Sequence, residues 1–330
     1  MEPSTALTSP DVQASTPTVH VSLSRVGVTG VEKVIRIAGR DGHPLLFAAD
    51  LECFVDLGPK QKGAHMSRFE EVVNDVIGEV IINETGFKAE TLAAHIAERV
   101  RDRQDGSRAE VRIAARYPEQ KATPASGTET QEIYTLHGAA VASERGTRRL
   151  VGVEAQGMTA CPCAQELVTE RARVRLEADG FTDDEIARVF EHVPVATHNQ
   201  RGIGTLYVGC PESCREGVEA ERLLRIVEEA MSSEIYELMK RPDEVEVVEK
   251  AHARPRFVED CVREMVRLGL DEFGGFGEDA FLMARQENLE TIHKHNVVAE
   301  RYGLVGELQR ELAGQEPGGR HLSMRDWLEG

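Results

Sequence analysis

The first half of the chain alternates between apolar stretches typical of strands and apolar residues at helical spacing. We predict four strands in this half, over residues 19–37, 45–55, 109–116 and 133–143. Two helices are predicted between the second and third strands. One follows a capping-box pattern at Ser67 and Glu70, and the other covers residues 89–101. The predicted order is strand, strand, helix, helix, strand, strand.

The second half repeats this order with insertions. Four strands are predicted, over residues 149–158, 204–210, 280–286 and 296–302. A long helix over 218–240 is predicted to end before Pro242, and a second helix covers 256–270. Residues 166–192 form a helical insertion with its own capping box at Thr182–Glu185. Because it contains no His or Cys before His192, we predict a surface helical hairpin without chemistry.

Two similar halves suggest a duplicated unit. We predict an α+β chain with modules over residues 18–148 and 149–303, the second carrying most of the site residues. Residues 1–17 are rich in Ser, Thr and Pro and are predicted to be a mobile tail, and residues 304–330 form a C-terminal tail.

Composition narrows the class of protein. The chain has 330 residues, 41% of them hydrophobic, which suffices for one large domain or two ordinary ones. No apolar run is long enough for a membrane span and no signal peptide is visible, so we expect a cytoplasmic protein without a membrane partner. The net charge of −18 argues against nucleic acid as a partner. Acidity with few lysines is typical of proteins from salt-loving microbes, although an ordinary acidic protein remains the alternative.

Two thiols and a histidine are the first candidates for chemistry. Cys161 and Cys163 flank a proline that stiffens the segment, and His198 follows 35 residues after the second thiol. A thiolate and an imidazole together suit zinc or ferrous iron. From spacing alone, two buried inert cysteines and a surface histidine are an equally good interpretation.

Glu234 is the third candidate metal ligand. In the predicted helix 218–240 it falls on the apolar stripe, four residues after Ala230 and four before Leu238. A carboxylate on a core-facing stripe is unfavourable unless it is paired or binds a metal. The alternative is a buried ion pair with an arginine.

Several separate motifs, in the right order, resemble the type IB GTP cyclohydrolases. The resemblance covers about residues 11–300, and the long insertion before His198 is similar to the archaeal branch of that family. The matching runs are Lys62–Phe69, Cys161–Gln165, His198–Gly202, Ser233–Glu244, Phe257–Asp260 and Glu290–His295.

The resemblance implies a fold, an assembly and a metal. The family adopts tandem tunnelling folds (T-folds), antiparallel sheets with paired helices that assemble into an oligomeric barrel. We therefore expect a homo-oligomer, a tetramer by resemblance. The family's metal ligands correspond to Cys161, His198 and Glu234, which implies one divalent ion per site: Fe(II) first, with Zn or Mn as alternatives.

The resemblance also implies a reaction. GTP is the expected substrate, and formate is released when the imidazole ring of guanine opens. The archaeal branch yields 7,8-dihydroneopterin 2′,3′-cyclic phosphate and pyrophosphate at the start of pterin cofactor synthesis. The alternative product is 7,8-dihydroneopterin triphosphate.

The remaining candidates have roles around this site. The predicted catalytic residues are Cys161, His293 and His295. The two histidines are two residues apart, so on a strand both side chains would lie on one face and could transfer protons. The alternative is a surface strand without a catalytic role. Glu249 matches the family position that binds the guanine edge, where a carboxylate accepts two hydrogen bonds. The cationic candidates for the triphosphate, each equally suited to a surface position, are Arg201, Lys240 and Arg241.

A binding module of a different class also remains open. Cys210 and Cys214 are close in sequence and could join Cys161 and Cys163 in a closed four-thiolate zinc site. That site would need neither His198 nor Glu234.

Overall fold

The computed structural model describes residues 11–38, 44–80, 88–210, 217–316, 318 and 321–330. The chain divides into two compact units. The first comprises Met1–Ala115, Gly138–Arg149 and Leu328–Gly330, and the second comprises Arg116–His137 and Leu150–Trp327.

The first unit consists of long antiparallel strands packed against two helices. Strands β1 and β2 pair along most of their length, and β2 continues the antiparallel sheet to β3. Both helices bury their apolar stripe, so that Phe69 and Ile96 are fully buried with Leu51 of the sheet. The elements are β1 (Leu23–Ala38), β2 (Pro44–Leu57), α1 (Met66–Val80), α2 (Ala89–Gln104), the start of β3 (Arg108–Ala122) and the end of β4 (Glu129–Ser143).

The second unit carries a further set of antiparallel strands. Its elements are most of β5 (Gly146–Ala160), then α3 (Pro162–Ala178), α4 (Asp183–His192), β6 (Asn199–Cys210), α5 (Ala220–Ala230), β7 (Ser233–Glu234), α6 (Arg241–Ala253), α7 (Val258–Phe273), β8 (Phe281–Leu289), β9 (Val297–Leu304) and α8 (Val305–Leu312).

Sheet order in this unit is β5-β6-β8-β9, and the short β7 pairs with β5. Helices α5 and α7 contact the sheet. Their buried residues recur at helical spacing, as in Leu223 and Val227 of α5 and Cys261 and Met265 of α7. The core of the unit therefore lies between these two helices and strands β6, β8 and β9.

The predicted α+β class and element order are confirmed. The first half runs strand, strand, helix, helix, strand, strand, and the insertion is helical, with the Thr182–Glu185 capping box formed as predicted. The capping box at Ser67 and Glu70 is wrong. Helix α1 begins at Met66, so Ser67 lies within its first turn rather than before it, and the Glu70 carboxylate accepts a 2.8 Å hydrogen bond from Lys33.

The predicted helix over 218–240 is also wrong. Helix α5 ends at Ala230, and the chain then runs as β7 before α6 begins at Arg241. Pro242 does not end a helix but lies in the first turn of α6. Backbone N–H groups in the first turn have no partner within the helix, so the missing N–H of proline costs no hydrogen bond there.

The segment predicted as a C-terminal tail contains two helices, α8 and α9 (Met324–Glu329). Trp327 is only 2% exposed, packs against Phe281, and its indole nitrogen donates a 2.9 Å hydrogen bond to the carbonyl of Asp279. At the other end, residues 11–17 are described and the carbonyl of Gln13 accepts hydrogen bonds from the backbone of Lys62 and Gly63. Residues 1–10 of the predicted tail lie outside the described residues.

The sequence also predicts that no segment of the chain spans a membrane. Within the described ranges, no helix is both long and apolar enough to cross a bilayer.

Candidate active site

Cys161 and His198 are neighbours although 37 positions separate them. Cys161 follows the end of β5 and precedes α3, whose first turn takes Pro162. Its backbone N–H donates a 3.1 Å hydrogen bond to the carbonyl of His198, and its own carbonyl accepts one of 2.8 Å from the Thr197 hydroxyl. The second unit therefore fixes two of the three predicted ligands side by side.

The His198 ring is oriented by a buried amide. Its Nδ1 lies 3.0 Å from the Gln200 carbonyl oxygen, while the amide nitrogen of Gln200 donates to the Thr159 hydroxyl at 3.1 Å. The second contact leaves the Gln200 oxygen facing the ring, so the proton belongs on Nδ1. Nε2 of His198 then keeps its lone pair for a ligand.

Glu234 reaches the same region from a strand rather than a helix. β7 pairs antiparallel with β5, which sets Glu234 opposite Gly157, four residues before Cys161. A Cβ at Gly157 would lie 2.6 Å from the Met231 methyl carbon and 3.1 Å from the carbonyl oxygen of Ser233, so a side chain here would force Met231 to move. The sequence argument placed Glu234 on a helix, whereas the structure places it on strand β7.

The Glu234 carboxylate is paired with a lysine, not the arginine of the sequence alternative. Lys250 Nζ lies 2.5 Å from its Oε2. Burial raises the pKa of the Glu234 carboxyl, but the Lys250 hydrogen bond and charge outweigh burial and hold that pKa below its ordinary value. Glu234 is therefore a half-buried carboxylate in its ionised form.

The three predicted ligands do not converge on one point. In the part of the chain that the structure describes, the one group of three whose ligand atoms all lie within 4.8 Å of one another is Glu307, Glu311 and His321. That group surrounds Arg301, which pairs with both carboxylates, and it shares no residue with the predicted site.

His293 and His295 lie in the bend between β8 and β9, not on a strand as predicted. Their rings nevertheless stack, with centroids 5.2 Å apart and planes 16° from parallel. The His293 ring also meets the His198 ring edge-on at a centroid distance of 6.4 Å. Two exposed imidazoles therefore lie next to a candidate metal ligand.

Glu290 is a site residue to which the sequence reasoning gave no role. Its side chain is only 7% exposed, and its Oε2 lies 3.7 Å from His198 Nδ1 without a hydrogen-bond partner among the described residues. A buried carboxylate with an unpaired oxygen is unfavourable, so its position beside His198 indicates a role at the site. Its only sequence signal was its place at the start of the Glu290–His295 run.

Lys250, which pairs with Glu234, lines a cavity of about 730 Å³. The cavity is lined by Glu249, as expected of a substrate-binding residue, but by none of the three cationic candidates. Those three side chains are exposed, and the backbone N–H of Lys240 caps its own helix by donating to Asp243. Of the four predicted substrate-binding residues, only Glu249 therefore lines this cavity.

The alternative zinc site with four thiolate ligands lacks one of its four predicted ligands. Cys210 is in a disulfide and has no thiolate to offer, whereas Cys161 and Cys163 are free thiols. Cys163 is exposed in the first turn of α3, and Cys214 lies outside the described residues.

Comparisons with known proteins agree with the resemblance found in the sequence. Residues 9–299 match the family GCHY-1, described as type I GTP cyclohydrolase folE2. The chain is 40% identical over 308 residues to GTP cyclohydrolase MptA of Methanococcus aeolicus, covering 92% of this chain and 99% of that protein. It is 39% identical over 313 residues to GTP cyclohydrolase MptA of Methanosarcina mazei, covering 92% of this chain and 97% of that protein.

Among solved structures, the uricase from Arthrobacter globiformis aligns with a TM-score of 0.49 and 8% identity, covering 84% of this chain and 92% of that one. A likeness of this size indicates neither a shared activity nor a shared assembly. The family match spans most of the chain, and the relatives are similar over nearly their whole length. The chain is therefore an enzyme that belongs to the type I GTP cyclohydrolase folE2 family.

Proposed function

We propose that this enzyme is a GTP cyclohydrolase of pterin biosynthesis that converts GTP and water to formate, pyrophosphate and 7,8-dihydroneopterin 2′,3′-cyclic phosphate. The carrying observation is the pairing of Cys161 and His198 beside the ionised Glu234, next to a cavity that contains Glu249. Family membership supports the ring-opening activity, and the similarity to MptA relatives supports the cyclic product.

The donor set fits one divalent ion. A partly exposed thiol, an imidazole with Nε2 free and an ionised carboxylate are the groups that ferrous iron or zinc prefers, with manganese as a further candidate. Such an ion would lower the pKa of a water molecule so that it can attack guanine C8 near neutral pH. Gln200 would contribute by holding the His198 ring in the tautomer that binds.

Around the ion, the chain's own residues move protons and hold the base. His293 contacts His198 and stacks on His295, so this pair is placed to carry protons to and from the opening imidazole ring and the leaving formate. Glu249 accepts hydrogen bonds from the N1–H and 2-amino group of guanine. Arg201, Lys240 and Arg241, which lie outside the cavity, remain candidates for the phosphates.

The cyclic product requires one further step. A hydroxyl that is freed when the ribose ring opens, on the carbon next to the one that carries the α-phosphate, attacks the phosphorus. Its proton passes to the pyrophosphate that leaves as the bond to the β-phosphate breaks. Because both groups belong to one bound molecule, the attack has a large entropic advantage. The alternative product, 7,8-dihydroneopterin triphosphate, results if this step does not occur.

For the assembly, we propose that the chain adopts a tandem tunnelling fold and forms a homotetramer with active sites at the contacts between subunits. The antiparallel strands with paired helices in each unit are consistent with that fold.

Product identification tests the reaction. Purified enzyme with GTP and ferrous iron should release formate, and phosphorus NMR should show a cyclic phosphodiester together with free pyrophosphate. An intact triphosphate on the pterin would reject the cyclic product in favour of the alternative, and no formate at all would reject the cyclohydrolase proposal. Heat-denatured enzyme is the control.

A further inference from the structure

We propose that the helical insertion α3–α4 forms the outer wall of the guanine pocket and that Phe190 is the surface on which the base stacks. This inference rests on the proposed function, since it assumes GTP as the ligand. It gives a role in substrate binding to a segment that the sequence leaves open to interpretation as a surface hairpin.

The cavity has two walls that come from different parts of the second unit. One wall is helix α6, which contributes Glu246, Glu249 and Lys250, and the other is the end of the insertion, with Phe190 and His192. Its volume of about 730 Å³ lies within the range of roughly 300–1,000 Å³ typical of small-molecule sites. The residue expected to grip guanine therefore faces a space that the insertion helps to enclose.

A single side chain ties the two walls together. The amide nitrogen of Gln165, in the first turn of α3, donates to the carbonyl of Val195 at 2.8 Å and to that of His252 at 2.7 Å. Val195 follows the insertion, and His252 lies at the end of α6. The width of the cavity is thus fixed by hydrogen bonds from a residue that itself lines it.

The charge of the lining selects which end of the nucleotide enters. Glu191, Glu246 and Glu249 line the cavity, and the one lysine there is engaged by Glu234. Carboxylates attract the N–H donors of a guanine edge and repel a triphosphate. Glu246 and Glu249 are three residues apart on one helix and so lie on the same face. The base therefore enters this cavity, and the phosphates stay outside it.

Phe190 supplies the one phenyl ring of the lining, whose other apolar residues are Pro194, Val195 and Ala253. It is half-buried near the end of α4 and lines the cavity. Its helix is held by the Thr182–Glu185 capping box and by the fully buried Ile186. A fixed aromatic ring beside hydrogen-bonding carboxylates is the usual arrangement for holding a base by its face and its edge.

Replacement of Phe190 by leucine tests this role. The F190L variant should bind GTP about ten-fold more weakly in calorimetry, because base stacking is lost, and should raise KM with little change in kcat. Its affinity for inorganic tripolyphosphate, which has no base, should not change. F190Y, which keeps the ring, should bind GTP like the wild type.

Phe181 provides the matched control. It is an exposed aromatic residue in the same insertion, between α3 and α4, and does not line the cavity. F181L should leave GTP affinity unchanged. If F190L binds GTP as tightly as F181L while the wild type releases formate, the stacking role is refuted and the proposed reaction stands. If F190L weakens GTP and tripolyphosphate equally, its effect is structural and the inference is also refuted. A wild-type enzyme that neither binds GTP nor releases formate refutes both.

Discussion

At the residue scale, the site consists of groups whose neighbours decide what they can do. Gln200 sets the His198 tautomer, and Lys250 keeps Glu234 ionised. Glu290 adds a buried carboxylate oxygen near the same imidazole. Glu234 is therefore in the ionised form, and His198 in the tautomer, that metal binding needs.

Substitution of Glu234 by glutamine tests its proposed role as a ligand. The amide has nearly the same shape but no charge, so the E234Q variant should bind ferrous iron at least 10-fold more weakly, since even loss of a partner that only orients a ligand costs about 10–100-fold. Formate release should fall at least as much, while circular dichroism shows a folded protein. Metal content after dialysis and formate assays are the measurements.

Glu237 offers a control for the same change. It lies three residues along the chain, and its side chain is exposed. E237Q should keep both metal and activity. Full activity in E234Q would remove Glu234 from the ligand set, and equal losses in the two variants would point to a general loss of structure.

How much of the site the sequence could predict depends on what fixes each residue. Cys161 and His198 were predicted because the matched runs contain them, and Glu249 because it matches a substrate-binding position of the family. The structure places the first two together and the third in the lining of a cavity. Glu290 was not predicted as a site residue because its burial depends on tertiary packing at the end of β8, which leaves no local pattern in the sequence. The ion pair between Glu234 and Lys250 likewise depends on tertiary packing.

At the element scale, the main error concerns the region after α5. Leu223, Val227 and Ala230 are buried as the apolar stripe predicts, but the helix ends at Ala230 and not at residue 240. The chain leaves the helix at Met231 because residues 233 and 234 pair with β5, and this tertiary pairing overrides helical propensity. Elements fixed by long local periodicity, such as α2 and α7, were predicted well.

Asp243, in the first turn of α6, fixes that helix to the turn between β3 and β4. Its buried carboxylate accepts hydrogen bonds from the backbone of Ala125, Ser126 and Lys240 at 2.7–2.9 Å and from the Ser126 hydroxyl. Desolvation raises its pKa, but these hydrogen bonds outweigh desolvation and hold the pKa well below the ordinary value. The charged carboxylate therefore stabilises the fold.

We predict that Asp243 contributes a pH-dependent part of the stability. Because its folded pKa is depressed, the contribution is complete above the unfolded pKa of about 4 and is lost as pH falls towards the folded value. D243N places an amide N–H₂ against backbone donors, so its melting temperature should be several degrees below wild type at pH 7. The difference should shrink at pH 3, as thermal unfolding at both pH values would show.

Asp260 is the control for this prediction. It occupies the same position in α7 and accepts a 3.1 Å hydrogen bond from the backbone of Phe257, but it is partly exposed. D260N should lower the melting temperature less than D243N. A D243N variant as stable as wild type at pH 7 would contradict the assigned role.

At the scale of the whole molecule, each compact unit presents antiparallel strands, and the first unit ends in an unpaired edge. Within the described residues, the outer edge of the 16-residue β1 pairs with no other strand. Exposed apolar side chains lie on β1 and its neighbour: Leu23, Val34 and Leu46 are 48%, 66% and 63% exposed. A long strand edge with apolar neighbours favours association between copies.

We therefore predict that the enzyme is a homo-oligomer, with a mass by light scattering of about four times the 36.4 kDa chain. The edge strand would pair with another copy, because an exposed edge of this length otherwise invites uncontrolled pairing. V34K places a charge on that apolar surface and should shift the mass towards smaller species. V174K alters another exposed valine, 55% exposed on α3, and should leave the mass unchanged. A wild-type monomer at working salt would refute the assembly, and an unchanged mass in V34K would move the contact away from β1.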